Sequence, residues 1–352
     1  MFKFIKKFFS LMFIVVFIMI FSYYNKDEFI DHYKLINLKN NDIINIQEKL
    51  SSFDLDNIDN IENLEFYYTP NKKLLDNIIL KINNSEKRIF LEVYMLTEKR
   101  IKFALIKAKK RGVDVKVVLE KNPYMATSIN VKHAKELIAW WVDLKWSEPT
   151  SFSLNHAKFI IFDNEVLIST WNFTYSSFLF NRDIFLIFSD KKLIKIFLEI
   201  FSSDFKWVKS SIYHDNLVLS PLYSRAKFEK LFWYAEEEIL MYFPYLNDSK
   251  LKTILIEKAK KIDIKIVVSK EYYENNDNKE DINKLKKVWI KIKVLKKPKM
   301  HSKAILVDKK ILFIWSINFS SYSLDKNRET GLIFKNEVII SKFMELFNKD
   351  FK

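Results

Sequence analysis

His156-Ala157-Lys158-Phe159-Ile160-Ile161-Phe162-Asp163 and His301-Ser302-Lys303-Ala304-Ile305-Leu306-Val307-Asp308 are two copies of one string. The histidines lie 145 residues apart (301 − 156), and the lysines and aspartates repeat that interval. A lone His-x-Lys carries little information in a chain with 59 Lys and Arg among 352 residues. Repetition of the whole string, each copy followed by a polar cluster ending in Asn172 or Asn318, points to a duplicated half with one catalytic histidine per copy. Each string reads as a strand opened by its His and Lys. Alternation along a strand then puts both side chains on one face, aimed at one ligand.

The flanks repeat as well. In the first half, the pattern predicts a helix over 71–86, a strand over 88–95, a helix over 100–110 and a strand over 113–119. The second half repeats this as helix 224–237, strand 239–243, helix 248–260 and strand 262–268. KAKKRGVDVKVVLE at 107–120 answers KAKKIDIKIVVSK at 258–270, and ELIAWWVDLKW at 136–146 answers KLKKVWIKIKV at 284–294. Short helices alternating with β-branched strands indicate an α/β layered fold. The expected organisation is two homologous α/β halves, 65–212 and 213–352, around one shared site. A polar spacer over 25–64 precedes them, rich in Asn, Asp, Lys and Ile.

Residues 8–24 (FFSLMFIVVFIMIFSYY) are uncharged and mostly apolar behind Lys3, Lys6 and Lys7. The run is at the short end of what spans a bilayer, and the basic flank predicts a cytoplasmic N-terminus with the body exported. A cleaved signal peptide is the alternative, but bulky Phe21-Ser22-Tyr23-Tyr24 offers no small-residue cleavage site, so 1–24 is read as an uncleaved membrane anchor. The absence of cysteine excludes disulfides, thiolate nucleophiles and Cys-based zinc sites. A net charge of +15 favours anionic partners, whether a membrane surface, phospholipid or nucleic acid, and does not choose among them. The abundance of Lys, Asn, Ile and Phe is also what an AT-rich coding sequence produces.

A phosphodiester held between the halves meets a complete set of groups. One imidazole attacks phosphorus to give a phosphohistidine. The other protonates the departing oxygen, then deprotonates the water or alcohol that resolves the intermediate. Lys158, Lys303, Asn172 and Asn318 supply donors to the phosphate oxygens without a metal or other cofactor, and Thr170 and Ser316 add hydroxyls. Each histidine needs an acceptor on its other ring nitrogen. Asp183 of Asn181-Arg182-Asp183 and Glu329 of Asn327-Arg328-Glu329 are the candidates, with the half that each serves left open. Asp163 and Asp308 end their strands seven residues after the histidines, where capping a turn fits better than catalysis. A third His-x-Lys, His133-Ala134-Lys135, has Trp140 where the Asp should fall and is read as a solvated helix face.

These residues resemble the phospholipase D superfamily, whose signature is H-x-K-x4-D followed by G-S-x-N. The second copy continues as Trp315-Ser316-Ile317-Asn318 and the first as Ser169-Thr170-Trp171-Asn172. The resemblance spans about 65–352 and implies two α/β halves around one site, complete in a monomer. It further implies phosphatidyl transfer or hydrolysis, with His156 as nucleophile and His301 as acid/base. An exported nuclease of the same superfamily and a degenerate anion-binding scaffold are the alternatives.

Glycine is scarce. There are two, Gly112 and Gly331, where ordinary composition gives about 7%. Tryptophan stands where glycine is wanted: Trp141 and Trp289 at helix-to-strand junctions like that of Gly112, Trp315 at the G of G-S-x-N, and Trp171 beside Asn172. Two readings compete. Either these are true tryptophans of an aromatic-rich core, with weak activity from crowding near Ser316 and Asn318, or some are glycines encoded by UGA. Trp140, Trp146, Trp207 and Trp233 are left undecided.

Overall fold

The computed structural model describes residues 40–352 except 125, 127, 148–151 and 210. The expected anchor at 1–24 lies outside the described residues, as does His32. Among the described residues no helix is long and apolar enough to cross a membrane.

Two seven-stranded sheets form the frame. The first runs β1 (Glu65–Tyr68), β8 (Ile184–Phe188), β6 (Glu165–Ser169), β5 (Lys158–Phe162), β2 (Arg88–Val93), β3 (Asp114–Leu119), β4 (Asp143–Trp146). The second runs, in equivalent order, β9 (Leu217–Ser220), β16 (Glu329–Phe334), β15 (Ile311–Trp315), β14 (Ala304–Val307), β10 (Glu238–Phe243), β11 (Asp263–Ser269), β12 (Lys291–Leu295). In each sheet the three strands that alternate with helices pair in parallel, and the strand carrying the His-x-Lys string pairs antiparallel to the first of them. The duplication is therefore one of whole sheets, as the repeated strings predict.

β5, β14 and β15 are buried along their entire length, which is why they read as unbroken apolar runs rather than alternating ones. Their inner faces meet in one core. Phe159, Ile161, Val166 and Ile168 of the first sheet join Leu240, Leu306, Leu312 and Ile314 of the second, with helices Lys191–Lys206 and Glu337–Phe351 packed into the same cluster. The outer faces carry a separate core in each half. The layers thus join the halves through a shared apolar interior, and the site lies at one end of that interior.

The spacer expected over 25–64 is corrected from residue 43 onward. Ile46, Leu50, Phe53, Leu55, Ile58 and Ile61 are buried, the first two in the central core and the next three in the core of the second half. Lys230 Nζ donates to the carbonyls of Leu50 and Phe53. Single apolar residues recurring among Asn and Asp at helical spacing gave this segment a buried stripe that its polar composition hid.

Candidate active site

A third, two-stranded sheet joins the halves: β7 (Asn181–Arg182) pairs in parallel with β13 (Lys299–Met300). Its counterpart is a single bridge between Asn155 and Arg328. At each junction the histidine's backbone N–H donates to the carbonyl of the arginine from the opposite half, His301 to Arg182 (3.1 Å) and His156 to Arg328 (2.8 Å). The next residue of the triplet then reaches the imidazole. His156 Nδ1 lies 2.8 Å from Glu329 Oε2, and His301 Nδ1 lies 3.4 Å from Asp183 Oδ1. The carboxylates therefore serve the histidines crosswise: each half supplies one histidine and the acceptor for the other.

The arginines lock this crossing. Arg182 makes a two-pronged ion pair with Asp350 (2.7 and 2.9 Å), and Arg328 does the same with Asp204 (2.7 and 2.6 Å), each at the end of the opposite half's long helix. All four are buried. Such forks fix geometry as well as charge. The sequence analysis missed Asp204 and Asp350, although Phe201-x-x-Asp204-Phe205-Lys206 and Phe347-x-x-Asp350-Phe351-Lys352 are themselves a repeated string. It also missed Glu92 and Tyr242, equivalent positions on β2 and β10. The Tyr242 hydroxyl donates to Asp350 (2.8 Å). Burial, with the nearby Asp204 charge second, pushes Glu92 well above the usual carboxylate range, and the side chain accepts from Asn155 Nδ2 (2.9 Å).

Lys158 and Lys303 are fully buried, Lys158 as the first residue of β5 and Lys303 just before β14, so the strands open after the histidines rather than at them as the sequence suggested. Lys158 Nζ donates to the His156 carbonyl (2.5 Å) and faces the Tyr94 ring at 5.4 Å. Lys303 Nζ reaches the carbonyls of His301 (2.9 Å) and Thr170 (3.3 Å). Thr170 and Ser316, expected to serve the phosphate, are corrected. The Thr170 hydroxyl donates to Asp183 (3.0 Å) and that of Ser316 to Glu329 (2.7 Å), so each proton is already committed to orienting a carboxylate. Their oxygens also accept from the backbone N–H groups of Ile184 and Thr330. The Asn172 and Asn318 side-chain oxygens are buried without a partner among the described residues. Unpartnered amide oxygens are acceptors that a donor on a polar ligand would satisfy.

Burial sets the electrostatics. It holds His156 down at about 4, with the Glu329 carboxylate pulling the other way, so the imidazole is neutral at pH 7. His301 is also held well below its ordinary value, by burial first and then by the Lys303, Lys158 and His156 charges. Burial pushes Asp183 up to about 7 and Lys303 down to about 7, while each one's charge opposes the other's shift. The Lys303 charge is present below that value and lost above it, and Asp183 gains negative charge over the same range. Both changes disfavour an anion, so sulfate affinity measured calorimetrically should fall as pH rises from about 6 to about 8.

Asp163 and Asp308 cap turns, as their place at the strand ends suggested. Asp163 accepts from the backbone N–H groups of Glu86, Lys87 and Arg88 at 2.8–2.9 Å. Asp308 does the same for Glu236, Glu237 and Glu238. Alanine at either position should cost about 1–3 kcal/mol in denaturant unfolding and leave activity per folded molecule unchanged. His133, read as a solvated face, is corrected to half-buried, with its Nδ1 2.6 Å from the buried Lys102 Nζ. His214 is likewise half-buried and accepts from the Asn216 N–H.

Two duplicated α/β halves that each present a His-x-Lys pair to a common site define the phospholipase D superfamily. Within it, the chain belongs to the family described as "Cardiolipin synthase, PLD-like domain", whose profile matches residues 78–205 and 230–351, one match per half. A cardiolipin synthase of Clostridium perfringens (strain SM101 / Type A) is 25% identical over 391 residues, covering 93% of this chain and 78% of that one. A phospholipase D of Rickettsia prowazekii (strain Madrid E) is 26% identical over 138 residues, 39% of this chain and 65% of that one. Among solved structures, phosphatidylserine synthase from Haemophilus influenzae Rd KW20 superposes with a TM-score of 0.68 at 12% identity, covering 87% of this chain and 89% of that one. Polyphosphate kinase from Porphyromonas gingivalis gives 0.62 at 14% identity, over 82% of this chain and 50% of that one. At such identities the two structures speak to fold alone.

Proposed function

We propose that this chain is a phospholipase D-type phosphodiesterase that transfers or hydrolyses phosphatidyl groups through a phosphohistidine at His156. The observation that carries the reading is the crossed pairing of the histidines with Glu329 and Asp183. With its Nδ1–H donated to Glu329, His156 presents the Nε2 lone pair to phosphorus. The P–N bond forms as the P–O bond to the leaving alcohol breaks, and His301, favoured in its protonated form by the charge of the bound phosphate against the burial that opposes it, delivers the proton to that oxygen. His301 then takes a proton from an incoming water or alcohol, whose oxygen displaces His156. The products are phosphatidic acid or a new diester. Lys158, Lys303 and the Asn172 and Asn318 amides stabilise the phosphate oxygens; the charge of a bound phosphate favours the ammonium forms that burial alone opposes.

Phospholipid as substrate is supported by the named activity of the C. perfringens relative and by the net charge of +15. With residues 8–24 as anchor, the body works at the outer surface of the membrane it is tethered to. The test is a parallel assay on phosphatidylcholine vesicles, phosphatidylglycerol vesicles and single-stranded DNA, with and without chelator. Headgroup release or exchange that survives chelator and is lost in His156→Ala and His301→Ala is the expected result. Cleavage of DNA alone would overturn the lipid assignment, and inactivity on all three would favour a binding scaffold.

A further inference from the structure

We infer that positions 141, 171, 207, 289 and 315 carry glycine in the working polypeptide, a codon rendered as tryptophan in this sequence being decoded as glycine in the cell. Four helix ends share one hydrogen-bond pattern. After helix Lys99–Lys110, Gly112 N–H donates to Lys109 O (3.0 Å) and Val113 N–H to Ala108 O (3.2 Å), with Gly112 at φ 92°. The same pair recurs at Trp141 (to Ile138 O, 2.9 Å) with Val142 (to Leu137 O, 3.2 Å). It recurs at Trp289 (to Lys286 O, 3.0 Å) with Ile290 (to Leu285 O, 3.2 Å), and at Trp207 (to Asp204 O, 3.4 Å) with Val208 (to Ser203 O, 2.9 Å). This is the Schellman ending, whose left-handed residue is ordinarily glycine.

The three tryptophans stand there at φ 64°, 69° and 58°. A bulky side chain in that region is a genuine outlier, whereas Asn63, Asp163 and Asp308, also at positive φ, are residue types that tolerate it, and the remaining one, the unbranched Lys309, follows Asp308 in a strand-to-strand turn rather than a helix end. Nor does packing repay the strain at the two most exposed, Trp141 at 82% and Trp289 at 84%; Trp207, 53% exposed, has among the described residues only its Nε1–H donated to the Trp146 carbonyl (3.1 Å) and Lys145 over its ring. One such residue would be a curiosity. Three in the same motif, with glycine in the fourth, indicate a substitution made at the level of the codon.

The other two positions show the same sign through space rather than φ. The Trp171 ring centroid lies 3.3 Å from that of His301, where aromatic pairs ordinarily sit 4.5–7 Å apart. The site has no room for an indole there. Lys303 Nζ is drawn to 2.9 Å from His301 Nδ1, the atom that should serve Asp183, whose contact is the longer of the two His–carboxylate pairs. At 315, a Cβ built on Gly331 across the strand pair would collide with the Trp315 Cβ and lie 2.9 Å from both the Trp315 Cα and the Ile314 carbonyl. The strands close to a distance at which one of the two facing positions must lack a Cβ, a condition that glycine at 315 would meet as Gly331 does. The Trp315 ring lies in the core of the second half, 3.6 Å from the Phe313 centroid, and not over the phosphate site. Crowding of the site therefore comes from Trp171, which corrects the expectation that placed it at Ser316 and Asn318.

Two measurements independent of activity test this. Peptide mass spectrometry of the protein from the cell that carries the gene should find glycine at all five positions; intact tryptophan at 141, 207 and 289 would overturn the inference. In recombinant protein, Trp141→Gly, Trp207→Gly and Trp289→Gly should each raise the folded-to-unfolded ratio about five- to thirtyfold in denaturant titration. Unchanged or lowered ratios would also overturn it. Trp171→Gly should raise phosphodiesterase kcat/KM about tenfold or more, by freeing His301 to meet Asp183. Gains in stability without any gain in activity would count against the proposed reaction and leave the decoding inference standing.

Discussion

Alanine at His156 or at His301 is expected to abolish turnover, each single substitution lowering kcat by about 10³–10⁴-fold or more. The size follows from the crossing of the halves. Two independent sites, one per half, would leave roughly half the activity in either variant, and a double variant would be needed for silence. Here each imidazole takes its carboxylate from the other half, His156 from Glu329 and His301 from Asp183, so neither half holds a complete set. Loss of either ring removes the nucleophile or the proton carrier from the same reaction. The two variants should differ in which step fails. His156→Ala leaves no atom to take the phosphoryl group, so single-turnover experiments should show no burst of alcohol. His301→Ala keeps the nucleophile and should release good leaving groups while stalling on the ordinary alkoxide.

Glu329→Gln is expected to give the second-largest loss, about 10²–10⁴-fold in kcat, although the substitution is nearly isosteric. Glu329 takes two donors on Oε2, the His156 Nδ1–H and the Ser316 hydroxyl. A glutamine that turns its NH₂ toward the ring favours the tautomer with the lone pair on Nδ1, which removes it from the Nε2 that faces phosphorus. Asp183→Asn acts on the other histidine, so it should slow resolution of the intermediate as well as its formation. Rapid-quench kinetics separate the two. Glu329→Gln should lower the burst rate, whereas Asp183→Asn should lower burst and steady state together. Equal effects of both carboxylate variants on every step would mean that the crossing has no mechanistic consequence.

The repeated strings made the duplication, both histidines, both lysines and the succession of helices and strands in each half legible from the residues alone, because each of these is a local pattern written twice. Partner choice is not local. His156 and Glu329 are 173 residues apart and His301 and Asp183 118, so nothing in the spacing says that each acceptor crosses to the other half. Thr170 and Ser316 show the complementary limit: a hydroxyl is visible in sequence, but the acceptor that takes its proton is not. Asp204 and Asp350 were recoverable, since they sit in a repeated Phe-x-x-Asp-Phe-Lys string that went unused. The packed segment from residue 43 onward was hidden for a different reason. Ile46 and Leu50 are spaced for a buried helix face, Phe53, Leu55, Ile58 and Ile61 follow in the turns after it, and averaging over composition erases that spacing. Trp207 had no repeat partner to mark it; only its backbone geometry did.

The central claim is a single site in which His156 carries the phosphoryl group and His301 the proton. Trapping tests it most directly. The His301→Ala variant, mixed with a phosphodiester bearing a labelled phosphorus and a good leaving group, is quenched under alkaline conditions that preserve phosphohistidine and then digested. The account predicts stoichiometric label on the peptide containing His156 and none on the peptide containing residue 301. Label on another residue, or an unlabelled protein that nonetheless turns the substrate over, would contradict it.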